Sequence, residues 1–292
     1  MKFKVVILFL AIFSKTTCFG QEVIGFEGSP DDTSSVSLDT IKYTWKNRVS
    51  YALDANEVWS VDGIGNVFTS KEGVINKYDT IGGLRFSQSI KSMGNMSQML
   101  PINSMKLVHF SEEQQTLCYL DNTLSQTDDC LELADRDIVN ASMVAASSRP
   151  DLIWVFDNLN SKLILMALDR ASQKQQEIEN LSGILDINNI SQILERESKL
   201  YLVDDHKGVY VFDIYGSLLN HYDQDSINKV DVREQVLYML FDKILKRTIY
   251  ESDYQQIIPL PMEGITDFRY SNQHYYFRTS QHVHKFSLQI TK

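Results

Sequence analysis

Three histidines near the C-terminus have a spacing that could bind a metal ion. His282 and His284 are two residues apart, so on a β-strand their side chains point to the same face. With His274 on the preceding strand they could supply three imidazole ligands, a set that suits zinc. The surrounding segment, SQHVHKF, is polar, which is typical of a solvated strand face. We therefore predict no metal site here.

The segment Asp204-Asp205-His206 sets two carboxylates beside an imidazole, the residue types of general acid–base catalysis. It lies in a predicted tight turn between two strands, and turn formation explains the acids. The sequence contains no GxSxG nucleophile motif, no HExxH metal motif, no glycine-rich phosphate loop and no CxxC pair. We predict no catalytic residues, no cofactor-binding residues, no metal ligands and no cofactor.

Two cysteines, Cys118 and Cys130, follow the N-terminal segment. An even pair in an exported protein predicts a disulfide. The two residues are equidistant from a predicted turn near Leu124, so they can face each other across a hairpin. Two buried free thiols are the alternative.

Residues 1–20 have the features of a secretory signal peptide. Two lysines, Lys2 and Lys4, precede a nine-residue apolar run from Val5 to Phe13. That run is shorter than the roughly 20 residues of a membrane-spanning helix. Small residues follow, and we predict cleavage after Gly20. A buried N-terminal strand or helix is the alternative.

Lipid anchoring through Cys18 does not fit the residues before it. Lipoprotein processing prefers an aliphatic residue three positions before the cysteine, and Lys15 stands there. No later segment reaches membrane-spanning length, so we predict no transmembrane span in the mature chain. We expect the protein to be exported to the periplasm or the extracellular space.

The charge balance excludes one class of partner. The 292 residues include 28 basic and 38 acidic side chains. Removal of residues 1–20 takes away three lysines and no acids, which leaves a mature chain of 25 basic and 38 acidic residues, a net charge of −13. Such a surface repels phosphate backbones, so we predict no nucleic-acid partner. The 43% hydrophobic content is enough for a large core.

One phrase recurs along the chain: an apolar strand, a polar turn, a second apolar strand that ends in an acid, and a third strand. The clearest copies, 66–89 and 199–223, share an aromatic-Asp-x-x-Gly-x-Leu core. The residues that close the second strand recur every 36 to 48 residues, about 42 on average, and are Asp79, Asp121, Asp169, Asp213, Glu251 and Ser287. About 40 residues is the length of one four-stranded propeller blade, and the two-residue alternation within the copies argues against helical repeats.

Each copy is preceded by a candidate innermost strand, and the six candidates are 58–63, 96–102, 139–145, 190–196, 227–233 and 264–270. The segments 136–147 and 186–196 could also form short helices. The last copy ends at Lys292 without room for an outermost strand, and an open ring would leave an unpaired edge. Segment 40–45 (TIKYTW) would supply the missing strand.

We therefore predict an all-β fold, a β-propeller of six four-stranded blades closed by an N-terminal strand. The propeller would occupy residues 40–292 as a single domain, after an N-terminal extension at 21–39. Seven blades are the alternative, if residues 23–56 form a blade of their own. A β-sandwich would not predict a 42-residue repeat.

The acids that end the second strands have a structural explanation. An aspartate at a strand end can accept hydrogen bonds from the backbone N–H groups that follow it, and a glycine three residues later can supply a positive φ. A calcium site would need several oxygens that converge on one point, and one acid per copy does not provide them. We predict turn formation.

The segments YLDNTLS (119–125), VFDIYGS (211–217) and KYDTIGG (77–83) resemble the repeats of six- and seven-bladed β-propeller proteins. More narrowly, they resemble a group of exported bacterial propeller-like proteins with no assigned activity. The Gly-His and Trp-Asp pair of one well-known propeller family is missing. The resemblance implies the architecture, because propellers include enzymes, receptors and scaffolds.

Two functions from different classes remain. The first is an exported, non-catalytic propeller that binds a protein or another component of the cell envelope, and this is our prediction. The alternative is a metal-assisted hydrolase of the lactonase type, which resembles propellers with a calcium site in the channel. Its candidate ligands on the predicted innermost strands are Asp62, Asn140, Asn228, Asp231 and Asp267. A carbohydrate receptor is a third possibility that no residue supports.

Overall fold

The alternating apolar sequence folds into six antiparallel sheets of four strands each, as the repeat predicts. The computed structural model describes residues 41–168, 174–252 and 254–291. The predicted signal peptide, residues 1–20, and the predicted extension, residues 21–39, lie outside the described residues. So does Asp169, one of the repeat positions.

Blades 1 to 3 each run from an innermost to an outermost strand in chain order. Blade 1 consists of β2 (Val58–Val61), β3 (Val67–Lys71), β4 (Val74–Tyr78) and β5 (Leu84–Ser89). Blade 2 consists of β6 (Gln98–Pro101), β7 (Lys106–Ser111), β8 (Thr116–Asp121) and β9 (Leu131–Glu132). Blade 3 consists of β10 (Ala141–Ala146), β11 (Leu152–Asp157), β12 (Lys162–Ala167) and β13 (Lys174–Ile178).

Blades 4 and 5 repeat this order, and blade 6 takes its outermost strand from the N-terminal side. Blade 4 consists of β14 (Ile190–Arg196), β15 (Lys199–Asp204), β16 (Gly208–Asp213) and β17 (Leu218–Tyr222). Blade 5 consists of β18 (Lys229–Arg233), β19 (Val236–Leu240), β20 (Ile244–Ile249) and β21 (Gln255–Pro259). Blade 6 consists of β22 (Asp267–Ser271), β23 (His274–Arg278), β24 (His282–Thr291) and β1 (Lys42–Ala52).

All six predicted innermost strands are therefore present. The two segments that could also be helical are strands preceded by short 3-10 helices at Leu133–Arg136 and Ile187–Asn189. Two further 3-10 turns lie at Lys91–Met93 and Leu181–Gly183.

Strand β1 closes the ring, which confirms six blades for the described chain. It pairs antiparallel with β24, from Lys42 opposite Thr291 to Ala52 opposite His282. The predicted strand, 40–45, is shorter than the observed one, because β24 offers a ten-residue edge for pairing. Each innermost strand contacts those of both neighbouring blades, including β22 with β2 across the point of closure.

The hydrophobic core consists of six clusters of buried residues, one between each pair of neighbouring blades in the described chain. Trp154 and Phe212, for example, belong to the cluster between blades 3 and 4. A propeller blade buries both faces of its sheet against the two neighbouring blades. The second and third strands of the blade are therefore apolar at nearly every position. This is why the repeat contains short continuous apolar runs.

The antiparallel order gives the ring two distinct faces. The innermost strands end at one of these faces, which we call the first face. It holds the turns between the first and second strands and between the third and fourth strands of each blade. The second face holds the turns between second and third strands and the connections between blades. Among the described residues, no helix is long and apolar enough to cross a membrane.

Candidate functional site in the central channel

The innermost strands enclose a cavity of 380 Å³ to which all six blades contribute. Cavities of this size hold small molecules in other proteins. The side of the cavity that blades 2 and 3 form is largely apolar, and its residues include Leu100, Pro101, Val144 and Ala146. The side formed by blades 4, 5 and 6 is charged. We call this cavity the channel site.

Four cations line the channel site: Arg196, Lys229, Arg233 and Arg269. Their placement follows from the two-residue period of β18 and β22. In β18, Val230 and Val232 pack in the cluster between blades 4 and 5, which leaves Lys229, Asp231 and Arg233 on the other side of the strand. In the same way, Phe268 of β22 packs between blades 5 and 6 and leaves Asp267 and Arg269 on the opposite side.

Two of these cations pair with an acid of their own strand. Arg269 Nη1 lies 3.0 Å from Asp267 Oδ1, and Arg233 Nε lies 3.8 Å from Asp231 Oδ1. Burial raises the pKa of Asp267, but the charges of Arg269 and Lys229 outweigh burial and hold that pKa below its usual value. The indole of Trp59 also donates a hydrogen bond to Asp267 Oδ2 at 3.0 Å.

The other two cations are poorly compensated. Burial, together with the nearby charge of Arg233, lowers the pKa of Arg196 to about 10. Burial also lowers the pKa of Lys229, and Asp267 opposes that shift only in part. The buried Nε of Arg196 has no hydrogen-bond partner among the described residues. The cationic side of the channel site is thus short of negative charge.

Glu195 also lines the channel, and its oxygens are already occupied. Ser147 Oγ donates to Oε2 at 2.7 Å, and the backbone N–H of Ser148 donates to Oε1 at 3.0 Å. The Ser148 hydroxyl and the Trp154 indole donate as well. Burial raises the pKa of Glu195, but these donors outweigh it and hold the pKa below its usual value. Glu195 therefore ties blade 4 to blade 3 as a carboxylate.

The candidate ligands of the hydrolase alternative do not converge. Asp231 lines the channel and Asp267 lies beside its lining residue Arg269, and the partners of both acids are arginines. Asp62 is buried in a turn, where it accepts the backbone N–H groups of Ile64 and Asn66. The remaining two, Asn140 and Asn228, are exposed. In the described part of the chain, no group of three or more His, Cys, Asp or Glu side chains could hold a metal ion.

The C-terminal histidines do not form a three-imidazole site. His282 and His284 share a strand face, with ring centroids 5.4 Å apart, as their spacing predicts. His284 Nδ1 lies 2.8 Å from Ser50 Oγ of β1. His274 lies at the opposite end of blade 6, as the first residue of β23, where its Nδ1 is 2.6 Å from the Asn272 carbonyl.

The segment Asp204-Asp205-His206 forms the predicted turn, between β15 and β16. Asp204 is buried and accepts the backbone N–H of His206 at 2.9 Å. Asp205 and His206 line a wider cavity of 860 Å³ on the second face, together with exposed residues of the connections between blades 4, 5 and 6. Local turn bonds account for Asp204.

The repeated acids form the predicted turns on the first face. Oδ1 of Asp79 accepts the backbone N–H groups two and four residues later, and Asp121 and Asp213 do the same. Gly82 and Gly216 have φ of 95°, as predicted. In blade 2 Leu124 takes that position with φ of 67°. In Asp121, a hydrogen bond from the Thr123 hydroxyl lowers the pKa of the carboxyl, together with the bonds from backbone N–H groups. In Asp79 and Asp213, the bonds from backbone N–H groups lower the pKa of the carboxyl.

Two of these turns present an apolar side chain to solvent. Ile81 in blade 1 and Tyr215 in blade 4 occupy equivalent positions and are each 77% exposed. Leu84 and Leu218, three residues later in each turn, are also exposed. Blades 1 and 4 lie across a six-bladed ring from each other, so these two turns lie on opposite sides of the first face. We call these four residues the turn tips.

The sequence did not lead us to predict the cations of the channel site. A calcium site requires acids and amides, and only those residue types were taken as candidate ligands on the innermost strands. The signal was present in INKVDVR and GITDFRY, where charged residues alternate with apolar ones. Alternating charge of both signs on a predicted innermost strand indicates a charged channel.

The predicted disulfide is present. Cys118 of β8 is bonded to Cys130, with Cα atoms 4.2 Å apart. The register of β8 with β9 places Leu117 opposite Leu131 and therefore Cys118 opposite Cys130. Free thiols, the alternative, are thus excluded.

Comparison with known proteins supports the fold. No protein-family model matches the chain, and no curated protein matches its sequence. Among solved structures, a chain of the mitotic checkpoint complex is 8% identical with a TM-score of 0.59, over 92% of this chain and 99% of that chain. A streptogramin B lyase structure is 10% identical with a TM-score of 0.58, over 85% and 98%. The virginiamycin B lyase of Staphylococcus aureus is 8% identical with a TM-score of 0.58, over 85% and 99%.

At these identities, the similarity shows a shared propeller fold. The chain is a six-bladed β-propeller. Its fold is similar to that of lyases and of a subunit of a large assembly, so the fold by itself selects no activity.

Proposed function

We propose that this propeller is an exported, non-catalytic protein that binds a protein component of the cell envelope through its first face. The turn tips carry the proposal. At 77% exposure, Ile81 and Tyr215 are the most exposed large apolar side chains among the described residues, and tyrosine is enriched at protein–protein interfaces. Their repetition at equivalent positions in blades 1 and 4 provides two anchors on one face.

The rigid support of the tips favours binding over chance exposure. The Asp79 and Asp213 carboxylates fix each turn by local hydrogen bonds. A turn whose backbone is fixed in this way loses little backbone conformational entropy when its exposed side chain enters a pocket of a partner. The occupied oxygens of Glu195 and the arginine partners of Asp231 and Asp267 give no support to the hydrolase alternative.

Export is supported by the disulfide, since such bonds persist in oxidising compartments. We further propose cleavage after Gly20, which would leave residues 21–39 ahead of a propeller at 40–292. The intact mass of the protein from its native cells tests this. A mass that still includes residues 1–20 would contradict it, and an added lipid would show that Cys18 is modified.

Site-specific photo-crosslinking in the native cells tests the binding face. A photoreactive amino acid at Ile81 or Tyr215 should yield one discrete protein adduct. The matched control is Leu159, which is 65% exposed in a turn of the second face and should yield none. Adducts from Leu159 alone, or the same adducts from all three sites, would overturn the proposal.

A double variant completes the test. Ile81→Asp with Tyr215→Asp should release the crosslinked partner in a pull-down and leave thermal stability nearly unchanged, because both side chains point into solvent. The control is Leu159→Asp, which should retain the partner. Retention by the double variant would exclude the turn tips as anchors.

A further inference from the structure

We propose that the channel site binds a small organic carboxylate, with its anionic head against Arg196, Arg233 and Arg269 and its apolar body against Leu100, Pro101 and Ala146. This site lies inside the ring, and the inference is independent of the turn tips and of the proposed envelope partner.

The arginines of the cavity are the groups that an anion would contact. Its lining contains four cationic side chains and three acidic ones, Glu195, Glu197 and Asp231, and a fourth acid, Asp267, pairs with Arg269 at 3.0 Å. Of the acids, Glu195 is saturated by donors of blade 3. Asp231 accepts the backbone N–H groups of Val232 and Tyr270 through its two oxygens. These two acids therefore use their acceptors on the fold, and Glu197 accepts the backbone N–H of Gln235 through Oε1 at 2.9 Å.

The arginines keep donors available for a ligand. Arg196 donates from Nη1 to the Glu195 carbonyl, and its Nη2 makes no hydrogen bond within the described residues. Arg233 uses Nε for the Tyr270 carbonyl at 3.1 Å, which leaves its two terminal nitrogens without a hydrogen bond in the described chain. A guanidinium with free N–H groups in a desolvated cavity binds a carboxylate through short, charge-assisted hydrogen bonds.

The size and polarity of the cavity select the class of anion. Arg196 and Arg233 are neighbours in the lining and suit a single carboxylate, the head of an organic monoanion. The wall opposite the arginines is apolar. Burial of a hydrocarbon body against this wall is favourable, whereas an inorganic ion makes no favourable contact with it. A volume of 380 Å³ accommodates a short fatty acid or an aromatic acid.

Isothermal titration calorimetry of the mature protein tests the proposal with three probes: octanoate, octanol and inorganic phosphate. Octanoate has both the charge and the apolar body, and each of the others has one of them. We expect octanoate to bind measurably and the other two at least roughly tenfold more weakly. Equal binding of octanol or of phosphate would overturn the proposal, and so would the absence of octanoate binding.

Variants locate the site. Arg196→Gln and Arg233→Gln should each weaken octanoate binding by roughly tenfold, the loss of one charge-assisted contact. If Arg196→Gln fails to fold, Arg233→Gln still tests the site, because that side chain is 37% exposed. Ala146→Glu should abolish binding, since its carboxylate would face the arginines. Arg48→Gln, at an exposed arginine of β1, is the control and should bind as the original protein does. Unchanged binding in both channel arginine variants would place octanoate elsewhere.

Discussion

Single residues fix the turns of this propeller through positions that tolerate few substitutions. Gly216 follows Asp213 in the first-face turn of blade 4, with φ of 95°. A methyl group there would lie 2.7 Å from Ile178 Cγ2 of blade 3. The same glycine thus serves the turn and the close approach of two blades.

We expect Gly216→Ala to lower the free energy of unfolding by about 1–2 kcal/mol, from the left-handed backbone alone, with more from the contact with Ile178. Chemical denaturation measures the difference. The matched control is Gly183→Ala, where a methyl group meets no atom within 4 Å and φ is not positive. Equal stability of both variants would show that the turn relaxes.

A buried histidine makes the fold sensitive to acid. His109 is 1% exposed in blade 2, and burial lowers its pKa to about 4. Its ordinary value in the unfolded chain is about 6.5. Between these two values the unfolded chain binds a proton that the folded chain does not, so stability falls as the pH drops from about 6.5 to about 4.

The expected loss from His109 reaches about 3 kcal/mol at the acidic end of this range and is absent above it. Unfolding free energies at pH values across the range measure the slope. His109→Gln should flatten it, whereas the exposed His206→Gln should leave it unchanged. If the slope persists in His109→Gln, another group is responsible for the acid sensitivity.

At the scale of one element, blade 2 depends on a covalent bond. Its outermost strand, β9, contains two residues, whereas the corresponding strands of blades 1, 4 and 5 contain five or six. Two residues form too few backbone hydrogen bonds to hold an edge. The Cys118–Cys130 bond sits in the same register and supplies the missing restraint.

We expect reduction of this bond to cost about 3 kcal/mol of unfolding free energy, the entropy of a loop with a sequence separation of 12 residues. Thermal unfolding with and without reductant measures it. A variant with both Cys118→Ala and Cys130→Ala should unfold at the lower temperature in either condition. No response of the original protein to reductant would mean that the hairpin is stable without the bond.

At the scale of the whole molecule, ring closure depends on a strand that comes first in the chain. Trp45 of β1 packs edge-on against Tyr275 and Phe277, with ring centroids 5.0 and 5.4 Å away. Its indole N–H donates to the Pro259 carbonyl of blade 5 at 2.7 Å. One side chain therefore joins the first strand of the described chain to its last two blades.

We expect Trp45→Ala to cost about 3 kcal/mol, since it removes a large aromatic contact and a hydrogen bond. For a domain of this size, that loss lowers the melting temperature by roughly 6–12 °C. Hydrogen exchange should also show lost protection along β24. The exposed neighbour Lys46→Ala is the control, and equal protection of β24 in both variants would argue against a closing role for Trp45.

The sequence by itself predicted the blades, six as their favoured number, the disulfide and the acid-fixed turns, and it left seven blades and free thiols as alternatives. These features depend on residues close together in the chain: a two-residue period, a hairpin around Leu124, and an aspartate with the N–H groups just after it. The closing role of segment 40–45 also followed, because a last repeat without its outermost strand needs one from elsewhere.

Only the tertiary structure decided which side chains meet in the channel. Arg196, Arg233 and Arg269 come from three blades, and their common cavity exists only when the ring has closed. The donors that saturate Glu195 likewise come from blade 3. The balance of charge in the channel depends on these contacts between residues that are distant in the chain. The two-residue period of a strand predicts which side of the blade a side chain faces, but it does not predict which residues of another blade it meets there.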